Sequence, residues 1–269
     1  MIASREFVVK TMVKILSNPK KKYSQNFLTD YEVVKKSVEA LGDIDTVIEI
    51  GPGLGALTEE LALKNKHVFA YEIDETMVNH LNEYFSNKAN VKIIKGDFLK
   101  QKLMFDETIS FISNIPYSLT TPIIEKVILS SLKIDSFVFM LQKEAGARIS
   151  AKKGNKDYGP LPIMLSYLGK LEVVCKVTRD KFLPSPNVDS VVMKLSFNQI
   201  RDYAFEQKLY SLLNTAFHMR RNNLKGYFTS KEDLLSMFKE LAIAENIRPE
   251  ELSVEQFVNI TKYLFFMEK

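Results

Sequence analysis

A short apolar run, Thr46–Ile50, leads directly into Gly51-Pro52-Gly53-Leu54-Gly55, and a helix-patterned segment follows to about Lys64. This strand, glycine turn and helix in succession constrain the fold more than any other feature. Continuous β-branched runs mark strands covered on both faces, as in parallel sheets. A glycine turn at the strand end lets a ligand approach the backbone closely. The alternation continues along the chain. Asp30 caps a predicted helix through about Leu41, and His67–Tyr71 is a strand closed by Glu72, followed by a helix over Glu75–Phe85. Val91–Lys95 is a strand closed by Gly96-Asp97; Ile109–Ser113 is the next, and Thr121-Pro122 opens a helix. Ser136–Leu141 reads as a strand, Gln142–Ala151 as a helix, and Leu171–Thr178 and Val188–Phe197 as two closing strands. Strands alternating with helices predict an α/β fold, a Rossmann-like sheet with helices on both faces.

The texture changes after about Asn198, where strand signals stop and Asp202–Phe217, Lys231–Leu241 and Ser253–Phe266 read as helices. The expected organisation is a catalytic domain over residues 1–198 and a small all-helical domain over 199–269. Among 269 residues, 46% are apolar and 26% charged, an ordinary globular balance. No apolar run reaches the ~18 residues of a membrane span. The single cysteine, Cys175, excludes an internal disulfide and fits a reducing compartment. The three histidines, His67, His80 and His218, share no metal-ligand spacing, so no metal is expected.

Net charge is only +4, but the basic residues are clustered. Lys20, Lys21 and Lys22 form one group; Arg148, Lys152, Lys153 and Lys156 a second; Arg220, Arg221 and Lys225 a third. Any one cluster is equally an ordinary solvated face; three together suit a phosphate backbone. The first 17 residues alternate apolar and basic with few acids. That pattern fits an amphipathic helix of the protein itself, or an organellar targeting segment, and lacks the unbroken apolar core of a secretory signal. A cytoplasmic location and a monomer are expected.

The glycine turn and Glu72, 21 residues after Gly51, suit a nucleoside cofactor whose ribose hydroxyls a carboxylate accepts. Gly51-x-Gly53-x-Gly55-Ala56 is also the loose dinucleotide pattern, so the turn alone leaves a nicotinamide cofactor and S-adenosylmethionine open. Asp97 ends the next strand; it suits an adenine amine, and equally a cap after Gly96. The fourth strand discriminates, because it delivers Asn114-Ile115-Pro116-Tyr117. An exocyclic amine of a nucleobase is a weak nucleophile, its lone pair delocalised into the ring. An Asn side-chain oxygen and a backbone carbonyl beside proline can accept its N–H hydrogens. A tyrosine ring can support the base, with stacking worth roughly 1–3 kcal/mol. By the strand-end rule for open sheets, Gly51, Glu72, Asp97 and Asn114 converge on one cleft. Phe182-Leu183-Pro184-Ser185-Pro186 is a second aromatic segment. Phe182 taken alone reads as core, but the flanking prolines hold residues 183–187 extended, as a rigid presenting loop requires.

Seven segments, running in order from residue 21 to near the C-terminus, carry a family resemblance. They are Gln25-Asn26-Phe27-Leu28, Glu49 to Thr58, Asn114-Ile115-Pro116-Tyr117, Met140 to Glu144, Phe182-x-Pro184-x-Pro186-x-Val188-x-Ser190, Ala216-Phe217-x-x-Arg220-Arg221 and Ser253-Val254-x-Gln256. The chain resembles the ribosomal RNA adenine N6,N6-dimethyltransferases, specifically the bacterial small-subunit enzymes. The resemblance implies an S-adenosylmethionine pocket lined by Gln25, Asn26, Leu28, Gly51, Gly53, Glu72, Ile73, Asp97, Phe98 and Asn114. It implies that Asn114, Pro116 and Tyr117 attend the target adenine, with Phe182 stacking on its other face. It further implies a C-terminal domain that docks ribosomal RNA in a pre-ribosomal particle, and two methyls on each of two adjacent adenines in a hairpin loop near the RNA 3′ end. Ser24 and Ser118-Leu119-Thr120 depart from the usual family residues without removing a functional group. Two alternatives stand beside this expectation: a large-subunit RNA methyltransferase of the macrolide-resistance type, and a ribosome assembly factor acting mainly by occupancy.

Overall fold

The computed structural model describes residues 1–15, 26–218, 231–244 and 247–267. Lys20, Lys21, Lys22, Gln25, Arg220, Arg221 and Lys225 lie outside the described residues. Two compact units emerge: residues 1–146 with 170–197, and residues 147–169 with 198–269. The excursion 147–169, which sequence reading left within residues 1–198, therefore packs with the C-terminal residues.

The first unit opens with helix α1, Arg5–Ile15, and a two-residue strand β1, Phe27–Leu28. Then follow α2 (Tyr31–Glu39), β2 (Thr46–Ile50), α3 (Ala56–Lys64), β3 (His67–Glu72), α4 (Glu75–Tyr84), β4 (Val91–Lys95), β5 (Ile109–Asn114), α5 (Thr120–Ile128) and β6 (Ile134–Gln142). Strand β7 (Gly169–Val177), the two-residue β8 (Phe182–Leu183) and β9 (Ser190–Phe197) complete it. Among the described residues, seven strands form one sheet in the order β4-β3-β2-β5-β6-β9-β7. Strands β4, β3, β2, β5 and β6 run parallel; β9 lies antiparallel to β6. The parallel half is as expected from the alternating pattern, and the antiparallel addition makes the sheet mixed.

Side-chain chemistry explains the local structure. All five residues of β2 are buried, as a strand covered on both faces requires. Asp30 caps α2 by accepting from the Val33 amide at 3.1 Å, and Asp74 caps α4 through the Thr76 amide at 3.0 Å. Gly55 opens α3 with φ of +91°, and a Cβ there would meet Leu81 and Phe85 at 2.9 Å. Only glycine fits both that left-handed backbone and that packing. Phe111, Phe137 and Phe139, all fully buried, stack within the sheet core.

In the second unit, the start of α6 (Lys143–Ile149) belongs to the first, while α7 (Pro160–Leu168), α8 (Tyr203–His218), α9 (Lys231–Glu240) and α10 (Val254–Met267) form a helical array. Helix α7 was not anticipated. Its Pro160 and Pro162 sit in the first turn, where proline is tolerated. Tyr158, 3% exposed, donates its hydroxyl to the Leu252 carbonyl at 3.1 Å. Among the described residues no helix is long and apolar enough to cross a membrane.

Candidate active site

Strand β2 has β3 on one side and β5 on the other, so the chain reverses direction across the sheet at β2/β5. Ligands of open α/β sheets bind at the carboxyl ends beside such a switch. A cavity of about 350 Å³ lies there. Its walls come from the turn after β2 (Gly51, Pro52, Gly53), the end of β3 (Glu72, Ile73), the segment after β4 (Gly96, Asp97, Phe98) and the end of β5 (Asn114 to Leu119). Asn26 and Leu28 close another side. Of the residues expected around a cofactor and a target base, all the described ones meet here except Phe182.

Each wall has a local cause. Gly51 and Gly53 have φ of +70° and +58°, and a Cβ on Gly51 would meet nothing within 4 Å. The backbone there is bare toward an occupant. Glu72 is 6% exposed; its carboxylate accepts the Gly53 amide at 3.1 Å and the Asp74 amide at 2.8 Å. Burial raises its pKa, opposed by those two amides. Asp97 accepts the Leu99 amide at 3.0 Å and so caps the short turn Phe98–Lys100. Asp97 also lines the cavity.

Strand β5 holds the Asn114–Tyr117 segment rigidly. Ile115 donates its amide to the Met140 carbonyl on β6 at 3.0 Å and is 1% exposed. The Pro116 carbonyl accepts the Leu119 amide at 2.8 Å, closing the turn that carries Tyr117. Pro116 therefore shapes the loop, its carbonyl engaged by the turn. Tyr117 is half-buried, and its hydroxyl pairs with Ser190 Oγ at 3.0 Å.

Phe182 corrects the expectation of a second stacking ring. It is 1% exposed and packs in the core with Leu28, Met140 and Val192. The reason is a pairing invisible in the linear sequence: β8 lies antiparallel to β1, with Leu28 opposite Phe182 and Phe27 opposite Leu183. The same prolines that suggested presentation end this short strand, and the ring points into the core. Cys175 is partly buried on β7, at the sheet's edge, and packs against the core.

Two site residues escaped sequence reading. Glu49 lines the cavity at 1% exposure and accepts the Thr58 hydroxyl at 2.6 Å. Burial pushes its pKa up to about 8, with the nearby Glu72 charge adding to the rise and the Thr58 bond opposing it. A lone acid inside an otherwise apolar strand was the available signal. Ser190 stands in the Phe182–Ser190 family segment, but its link to Tyr117 depends on the β6/β9 register that sets it opposite Gln142.

In the second basic group, Arg148, Lys152 and Lys153 are all exposed. Exposed basic side chains are free to meet phosphates, though exposure alone identifies no partner.

The ribosomal RNA adenine dimethylase family matches residues 16–265 of this chain. The chain is 39% identical over 263 residues to the Ribosomal RNA small subunit methyltransferase A of Onion yellows phytoplasma, covering 92% of this chain and 97% of that protein. It is 37% identical to the protein of the same name from Bacillus mycoides, with 91% of each chain covered. Among solved structures, a dimethyladenosine transferase from Plasmodium falciparum matches with a TM-score of 0.75 at 25% identity, over 90% of this chain and 97% of that one. The 23S rRNA methyltransferase ErmE matches with a TM-score of 0.67 at 26% identity, over 89% of this chain and all of the other. With the cavity, the Asn114–Tyr117 segment and nearly the whole chain in agreement, this protein belongs to the ribosomal RNA adenine dimethylase family.

Proposed function

We propose that this protein is an S-adenosylmethionine-dependent methyltransferase that dimethylates N6 of two adjacent adenines in a 3′-terminal hairpin loop of small-subunit ribosomal RNA. One observation carries the reading: Asn114, Ile115 and Tyr117 share a cavity with the glycine turn and Glu72. The small-subunit relatives, matched along nearly their whole length, favour this RNA over the large-subunit one. Single-stranded loop bases are the ones a protein can splay out and stack.

The residues present suit the cofactor. Bare backbone at Gly51 admits close approach, and Glu72 offers carboxylate oxygens to ribose hydroxyls. Asp97 and Phe98 would receive the adenine, the one by accepting its amine and the other by packing on its ring. When bound, the cofactor supplies a methyl carbon already activated by its sulfonium.

The protein's task is then alignment and exclusion of water. Asn114 accepts one hydrogen of the target amine and the Ile115 carbonyl the other, aiming the nitrogen lone pair across the cavity. Tyr117 supports one face of the base, its ring fixed by the bond to Ser190. For the second transfer the amine keeps one hydrogen, so one of the two acceptor contacts is dispensable. Arg148, Lys152 and Lys153 would hold RNA phosphates, as would Lys20, Lys21, Lys22, Arg220, Arg221 and Lys225. The protein acts as a cytoplasmic monomer on a pre-ribosomal particle.

The test is mass spectrometry of small-subunit RNA fragments after incubation with the protein and labelled S-adenosylmethionine. The expected product is two neighbouring N6,N6-dimethyladenines. Label confined to large-subunit RNA, or absent from adenine, overturns the reading. Lys152→Ala with Lys153→Ala should weaken RNA binding and flatten its salt dependence, by about 0.7 in log–log slope per lost phosphate contact.

A further inference from the structure

Residues 1–15 lie outside the family match at 16–265, yet Ile2 and Val8 line the cavity. They are 0% and 1% exposed. Both belong to an apolar cluster with Phe27, Leu54, Leu81 and Phe85, which lies against the glycine turn: a Cβ on Gly53 would touch the Phe27 ring at 3.4 Å. Specific polar contacts seat the segment. The Ile2 amide donates to Glu59 Oε2 at 2.7 Å, while Glu59 Oε1 accepts the Tyr84 hydroxyl at 2.9 Å. One carboxylate on α3 thus ties the segment to α4. Ser4 bridges to Asp30, and the Phe7 ring meets Tyr84 edge-on at 5.7 Å. The outward face of α1 is different: Lys10 and Lys14 are exposed, and Val13 is 82% exposed.

We propose that residues 2–8 form the backing of this enzyme's cofactor-binding wall, with Ile2 and Val8 holding Phe27 and Leu54 toward bound S-adenosylmethionine. The proposal rests on reading the cavity as the cofactor site. It adds a binding element from a part of the chain that the family pattern does not include. Docking of α1 and binding of the cofactor then stabilise each other, because an occupant packs against Phe27 and Leu54, which Ile2 and Val8 hold in place.

Two measurements on the full-length protein test this. First, hydrogen exchange of the wild-type amides at residues 2–15 is followed with and without S-adenosylmethionine. Slowing of at least about tenfold is expected, since coupling between linked sites is typically 5–150-fold. Second, calorimetry compares Val8→Asp with Val13→Asp, which places the same charge on the outer face. Val8→Asp should weaken cofactor binding at least about tenfold, and Val13→Asp should leave it at the wild-type value. Unchanged exchange on cofactor binding overturns the wall, whether or not Val8→Asp folds. So does equal cofactor affinity in the two variants. A wild-type protein that binds no S-adenosylmethionine overturns the cofactor reading itself, a separate and distinguishable result.

Discussion

Two proline-bearing aromatic segments, Asn114–Tyr117 and Phe182–Pro186, look alike in sequence and end in opposite environments. The first leaves β5 at the carboxyl end of the sheet, beside β2, so Tyr117 borders a cavity. The second pairs with β1, and Phe182 is enclosed with Leu28 and Met140. An aromatic ring beside proline is therefore no guide by itself to a base-stacking role. What decides is whether the strand delivering the ring stops at an open edge or is zipped to a neighbour.

The sharpest way to break this contrast is at Phe182. Phe182→Ala should cost about 3–5 kcal/mol of stability, by lost burial and the cavity left behind. Phe182→Leu, which keeps much of the volume but no aromatic face, should retain most of the methylation rate. Urea unfolding reads the first, and single-turnover methylation the second; a Leu variant that folds but is inactive would restore the stacking role. At Tyr117 the pattern should reverse. Tyr117→Ala should lower the transfer rate on the order of 100-fold, the scale of a misplaced reactant, while unfolding midpoints and cofactor affinity move little. A variant with near wild-type turnover would remove Tyr117 from the base site.

Ser190→Ala probes how Tyr117 is held. One hydrogen bond is worth about 1 kcal/mol, so a rate loss of roughly 5-fold is expected, with the cofactor Kd unchanged. Combined with Tyr117→Phe, which removes the same bond from the other side, the loss should not add. Strict additivity in that double-mutant cycle would show that the contact does not act on catalysis.

A separate, pH-dependent effect concerns Glu49. Its folded pKa is raised to about 8, above the unfolded carboxyl value, so the folded state holds a proton that the unfolded state has lost. Its contribution to stability is present below the unfolded value and disappears as pH rises through about 8. Glu49→Gln keeps an acceptor for Thr58 and does not titrate. Wild-type stability should fall more steeply than the variant's between about pH 5 and 8. Parallel urea midpoints across that range would contradict the raised pKa.

Much of the fold was legible in the linear pattern. The five parallel strands and their order of chemistry along the chain follow from apolar runs that end in Gly51, Glu72, Gly96 and Asn114, because parallel strands place all their carboxyl ends on one side of the sheet. That is why the strand pattern alone brings Gly51, Glu72, Asp97 and Asn114 together, as the cavity does. Helix α7 hid behind its two first-turn prolines, and β1 and β8 are too short to carry a periodic signal.

What the amino-acid order determined by itself was local: which runs are strands, which turns need glycine, and which polar groups stand at strand ends. What only the tertiary structure decided was pairing between distant segments. Phe182 went into the core because β8 meets β1, 154 residues away in sequence at Leu28 and Phe182. Ser190 met Tyr117 because β9 docks on β6, and the helix over Arg5–Ile15 reached the cavity because Glu59 and the apolar cluster beside it hold the Ile2 backbone. Burial and long-range hydrogen bonding depend on which surfaces meet in space, and no local periodicity encodes that.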